Sequence, residues 1–132
     1  MLIRRVKAGN EFDICAMEDG GRCEILDFMA DLKASNVKEF EKLVKLIDTT
    51  ADVGKLRNEE KFKLLDDGIY EFKTYGGVRV LCFFDGSCII MLTNGFMKKK
   101  KYDPEIKRAL NLKYKYVVAK QQNALVWRNE FL

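Results

Sequence analysis

Arg79 stands inside an apolar run, Val78-Arg79-Val80-Leu81-Cys82-Phe83-Phe84, and Lys98, Lys99, Lys100, Lys101 and Tyr102 follow the next such run. An arginine among large apolar residues is costly to bury unless it is paired. Two roles are open to it. It forms an ion pair with Glu71 on the neighbouring strand, or it contacts a phosphate on an open sheet face and is held by that same glutamate. The four lysines form a basic cluster at a strand end. Tyr102 adds a hydroxyl that nearby cations would help ionise, and a ring able to stack on a base. Cations gathered around a phosphate suffice for one reaction, attack of an RNA 2′-hydroxyl on its own phosphodiester. They stabilise the charge growing on phosphorus while a lysine or tyrosine moves protons. The plain alternative is a solvated lysine face that aids solubility.

Other chemistries find less support. The chain has no histidine, which removes Ser-His-Asp and Cys-His nucleophile systems and a two-histidine ribonuclease. Gly76-Gly77 and Asp19-Gly20-Gly21 are too short for a phosphate-binding glycine loop and read as turns. Cys15, Cys23, Cys82 and Cys88 are spaced by 8, 59 and 6 residues, which matches no zinc pattern. No metal and no cofactor is expected. The cysteines read as reduced, buried thiols. No signal peptide and no membrane-spanning run is recognisable, so a cytoplasmic location is expected.

The basic groups are concentrated. Residues 96–132 carry ten basic and three acidic side chains, against ten and thirteen in residues 1–60. Local charge of this kind raises encounter rates and affinity for polyanions. At 132 residues, with 48% hydrophobic and 33% charged residues, the chain fits one globular domain with its own core.

The elements that must position these groups follow from periodicity. Phe12–Met17 reads as a strand ending in a glycine turn. Glu24–Leu32 and a segment capped by Asn36, with Glu39 in the capping-box position and Gly54 as stop, read as a helical hairpin. Residues 55–67 read as an irregular connection. Three strands follow, at about Ile69–Thr74, Val78–Asp85 and Cys88–Asn94, the second central and covered on both faces. If Gly76-Gly77 is a two-residue type I′ loop, Thr74 pairs with Arg79 and Lys73 with Val80. Arg79 and Lys73 would then face opposite sides, and only a bulge or a three-residue loop brings them together. Asp103 as N-cap with Pro104 at the first helical position begins a last helix. The apolar tail 121–132 folds back on the body or waits for a partner, with a second copy as one candidate.

In order and spacing, four blocks resemble RelE/HigB-type toxins of type II toxin–antitoxin systems, in particular their phage-derived branch. They are Glu24-Ile25-Leu26-Asp27-Phe28; Leu65-Asp66-Asp67-Gly68-Ile69-Tyr70-Glu71-Phe72-Lys73; Arg79-Val80-Leu81-Cys82-Phe83-Phe84; and Gly95-Phe96-Met97-Lys98-Lys99 with Asp103-Pro104-Glu105-Ile106 and Ala109. The resemblance implies an α/β (α+β) RelE-like domain over residues 1–132. It would have a helical hairpin on a small antiparallel sheet and a C-terminal helix. It implies a prophage-like mRNA interferase, a metal-independent endoribonuclease acting on ribosome-bound mRNA. A cognate helix-turn-helix antitoxin would neutralise it. Arg79, Lys99 and Tyr102 would be catalytic, with Lys73, Lys98, Lys100, Lys101 and Asn94 contacting RNA. The branch often has histidine where this chain has Asn94. Asparagine cannot act as a general base. Proton transfer therefore falls to a lysine or Tyr102, or the chain is a catalytically inactive RNA- or protein-binding relative.

Overall fold

The computed structural model describes residues 1–54 and 60–130. Among them the strands are β1 (Leu2–Ala8), β2 (Asp13–Glu18), β3 (Phe62–Asp66), β4 (Ile69–Lys73), β5 (Val78–Asp85), β6 (Ile89–Met97) and β7 (Val126–Asn129). The helices are α1 (Glu24–Ser35), α2 (Val37–Val53) and α3 (Tyr102–Gln121). The strands form one sheet in the order β3-β4-β5-β6-β2-β1-β7. The class is mixed α+β, as expected, but the sheet is neither small nor wholly antiparallel. β2 pairs with β6, and β1 with β7, in parallel.

The two faces of the sheet are covered differently. The α1–α2 hairpin covers one face and buries Ile14, Val80, Cys82, Ile90 and Leu92 against Ile25, Leu43 and Ile47. α3 covers the other and buries Leu81, Phe83, Met91 and Phe96 against Ala109, Leu112 and Tyr116. β5 supplies apolar residues to both cores, which is why its run is uninterrupted. At about 25 cal/mol per Å² of apolar surface, such two-sided burial is the main force fixing this strand.

Several boundaries depart from expectation for identifiable reasons. β1 carries no clear strand pattern in the sequence because Arg4, Arg5 and Lys7 interrupt its alternation, and a bulge at Val6 shifts its register against β2. The connection over 55–67 contains β3, an edge strand paired with β4, while residues 55–59 lie outside the described residues. β6 runs on to Met97. The tail does fold back: β7 lines up on β1, although its residues 131–132 lie outside the described residues. α3 begins at Tyr102, with Lys101 at the cap position and no side-chain cap. Pro104 falls third in the helix, still in the first turn where an N–H has no intrahelical acceptor. The four cysteines are free, and Cys88 is exposed rather than buried. No helix among the described residues is long and apolar enough to cross a membrane.

Candidate functional site

The β4–β5 hairpin carries the first part of the site. Lys73 pairs with Arg79, and Phe72 with Val80. The loop is therefore Tyr75-Gly76-Gly77, three residues long, and of the two alternatives open from the sequence the three-residue loop is the one formed. Only Gly77 has a positive φ, 96°. Gly76 is needed for space instead: a Cβ there would lie 1.4 Å from a carboxylate oxygen of Glu39. The consequence is functional, because Lys73 and Arg79 now share the face that α3 covers.

Arg79 is 9% exposed. Its Nε donates to the Tyr102 hydroxyl at 2.9 Å, and its Nη1 donates to the Thr74 and Val78 carbonyls at 3.0 and 2.9 Å. Among the described residues nothing bonds Nη2. Of the two roles left open from the sequence, the direct ion pair with Glu71 is not formed. Glu71 lies on the same face, opposite Leu81, and its carboxylate reaches Lys73 at 4.0 Å. A neutral phenol and two carbonyls hold the guanidinium; the buried Glu71 carboxylate reaches the same phenol, but among the described residues no carboxylate pairs with Arg79 directly. Such a cation is suited to an anionic ligand, because a guanidinium offers several donors in a fixed plane.

Tyr102 reaches Arg79 because α3 starts one residue before the Asp103 cap position, which sets the ring edge-on to Phe96 with centroids 5.2 Å apart. Burial pushes the Tyr102 phenol up, and Glu71 adds to this while the bond from Arg79 opposes it. The sequence suggested that neighbouring cations would ease its ionisation; the net direction is the reverse. Tyr102 is a proton donor here, not a ready base.

Asn94 is brought to the same face by a bulge. Val80 pairs with Gly95 and Cys82 with Leu92, so Thr93 and Asn94 together oppose Leu81. Without the extra residue, Asn94 would point with Ile90 and Leu92 toward α1 and α2. Gly95 then faces that side, where a Cβ would come within 2.3 Å of the Phe28 ring. Asn94 is 1% exposed and donates from Nδ2 to the Glu105 carboxylate and carbonyl at 3.0 and 3.2 Å. Its expected RNA contact does not fit this position: the amide is used inside the protein, tying β6 to α3.

Lys98, Lys99, Lys100 and Lys101 are exposed in the turn between β6 and α3. The turn is laced to the hairpin by Lys98 N–H donating to the Gly77 carbonyl at 2.7 Å, and closed by Lys100 N–H donating to the Met97 carbonyl at 2.9 Å. None of the four pairs with a carboxylate among the described residues. Arg79, Tyr102 and Lys73 are thus gathered at one end of the sheet, with the lysine turn beside them and Asn94 beneath the surface.

Two positioning residues were not singled out from the sequence. Thr74 Oγ1 accepts from Val78 N–H at 3.2 Å and donates to Glu39 Oε1 at 3.1 Å, while its carbonyl holds Arg79. Glu39 was read as a capping-box partner. Asn36 does cap α2, accepting from Glu39 N–H at 3.3 Å, but the Glu39 side chain crosses to the hairpin instead. A buried glutamate beside a glycine pair is the one signal that could have revealed this.

Residues 30–113 match the model of a family described as "Phage derived protein Gp49-like (DUF891)". The match covers well over half of the chain, and the protein belongs to that family. It includes Lys73, Arg79, the lysine turn and Tyr102, and leaves out β1, β2 and β7. No curated protein matches the chain.

Proposed function

We propose that the protein is a RelE-like toxin, an mRNA interferase that cuts ribosome-bound message in the cytoplasm and is neutralised by a cognate helix-turn-helix antitoxin. The supporting observation is Arg79: a guanidinium fixed by Tyr102 and two carbonyls, with no direct carboxylate partner among the described residues, beside a turn of four exposed lysines. Membership in a phage-derived family supports the same reading.

The residues divide the chemistry as follows. A scissile phosphate approaches Arg79 Nη2, with Lys73 and Lys99 adding charge and Lys98, Lys100 and Lys101 holding the flanking backbone. The 2′-oxygen attacks phosphorus and its proton leaves to water. The P–O5′ bond breaks as a 2′,3′-cyclic phosphate forms. Tyr102, whose phenol is kept protonated, is the group suited to protonate the departing 5′-oxygen. Positive charge already in place when phosphorus gains charge is typically the largest catalytic contribution in such a site.

The test is expression without a partner. Wild-type protein is expected to arrest growth and leave cut messages, and the folded Arg79→Ala variant to do neither. Harmless wild-type protein would overturn the reading. A second reading, RNA binding without cleavage, is favoured by one observation: Asn94 is buried against Glu105, and no imidazole stands in its place. RNA bound but uncut in the presence of translating ribosomes would select it.

A further inference from the structure

The β4–β5 loop presents Tyr75 at 88% exposure, the highest of the exposed large apolar and aromatic side chains among the described residues. Gly76 and Gly77 follow it, and neither carries a side chain that could cover the ring. Gly76 is kept bare by Glu39. At Gly77 a Cβ would sit 3.4 Å from Lys98 Cβ, so the loop and the lysine turn are in contact. Tyr75, Gly76, Gly77, Met97, Lys98 and Lys99 line an open cavity of about 510 Å³. Met97 is itself exposed, which puts a second apolar group beside the ring.

We infer that this cavity binds one unstacked base of a single-stranded RNA, with Tyr75 as the stacking surface and Lys98 and Lys99 on the adjoining phosphates. The inference rests on the reading of RNA as the substrate and extends it to how the strand is held. An aromatic ring beside a cation-lined path is the usual means of gripping a single strand, because every base has a face to stack. Tyr75 Oη donates to a carboxylate oxygen of Glu60 at 3.2 Å, which holds the hydroxyl and leaves the ring face open, and the exposed Lys98 and Lys99 in the cavity wall draw phosphates. The ring also follows Thr74, whose carbonyl holds Arg79. A base on Tyr75 therefore lies near the proposed scissile phosphate, where stacking holds the strand in register without selecting its sequence. A protein partner is the lesser fit, since one ring and four exposed ammonium groups make a poor apolar interface.

The test uses the full chain and a fluorescein-labelled single-stranded RNA of about ten nucleotides, within the range one such groove spans, read by fluorescence anisotropy. Tyr75→Ala is expected to weaken binding roughly tenfold, and Tyr75→Phe by less than about twofold, since the ring and not the hydroxyl stacks. Duplex RNA of equal length is expected to bind more weakly than the single strand. Equal affinity of Tyr75→Ala and wild type, equal affinity for duplex and single strand, or no RNA binding at all would each overturn the inference. Repeating the comparison in the Arg79→Ala background separates the two readings. Dependence on Tyr75 there, together with a wild type that never cuts, would sink the nuclease and leave the stacking site standing.

Discussion

α3 carries two tyrosines that each tie the helix to one end of β5, and the two ends are built for opposite purposes. At the far end, Tyr116 donates to Asp85, and Lys120 Nζ bonds both Asp85 oxygens at 2.9 Å. Acid, phenol and ammonium cancel one another there, and the tie is closed. At the near end, Tyr102 accepts from Arg79, whose other partners among the described residues are carbonyls, and four exposed lysines stand beside it. The same helix and the same strand thus hold a directly ion-paired structural joint at one end and, at the other, a cation that the Glu71 carboxylate reaches only through the Tyr102 hydroxyl. A guanidinium with no direct carboxylate partner among the described residues, beside exposed lysines, is the arrangement that suits an anionic ligand.

If that contrast is real, changes at the two ends must separate activity from stability. Arg79→Ala is expected to lower RNA cleavage by about 100-fold or more, the order of loss when a donor to developing charge is removed, measured as cut message against time. The loop behind Arg79 comes next. Gly76→Ala would displace the Glu39 carboxylate from Thr74 and leave it buried, costing about 1–3 kcal/mol, read from urea unfolding, and it should lower cleavage as well because Thr74 holds Arg79. Tyr116→Phe at the closed end should cost about 1.5–3 kcal/mol, the range for a bond to a charged group, and leave the cleavage rate of folded protein unchanged. Parallel losses of cleavage at both ends would erase the distinction.

The smallest effect concerns pH. Burial pushes the Asp85 carboxyl up, but the bonds from Tyr116 and Lys120 outweigh it and hold the group below its usual range. A depressed carboxyl stabilises the fold above its unfolded value of about 3.9 and loses that contribution as pH falls toward the folded value. Thermal melts of wild type should therefore drop more steeply than those of Asp85→Asn below about pH 4. Equal slopes would show that Asp85 is not held charged by this joint.

The sequence made much of this legible and hid the rest for physical reasons. The two-sided apolar run of β5 and the stripes of α1 and α2 are local patterns, and they form where their periodicity puts them. β1 and β7 are polar, short or bulged, and their pairing is parallel and distant in sequence, so periodicity carries little of it. Arg79 could be singled out because a charge among Val78, Val80 and Leu81 is costly. Its partners could not be named, because one extra loop residue decides which face it shares with Lys73. The reach of Tyr102 depends in turn on where α3 starts. Asn94 shows the same limit: a single bulge in β6 turned an expected RNA contact into an internal tie to Glu105.

The central claim is that the Arg79 end of α3 cuts RNA and the Asp85 end does not. It is tested most directly by adding purified protein to a translating extract and mapping new 5′-hydroxyl ends on a defined message. Wild type and Tyr116→Phe are expected to produce the same ends, and Arg79→Lys, which keeps the charge but loses the planar fork, to produce few or none. Messages left intact by wild type, or cut equally by Arg79→Lys, would contradict the account.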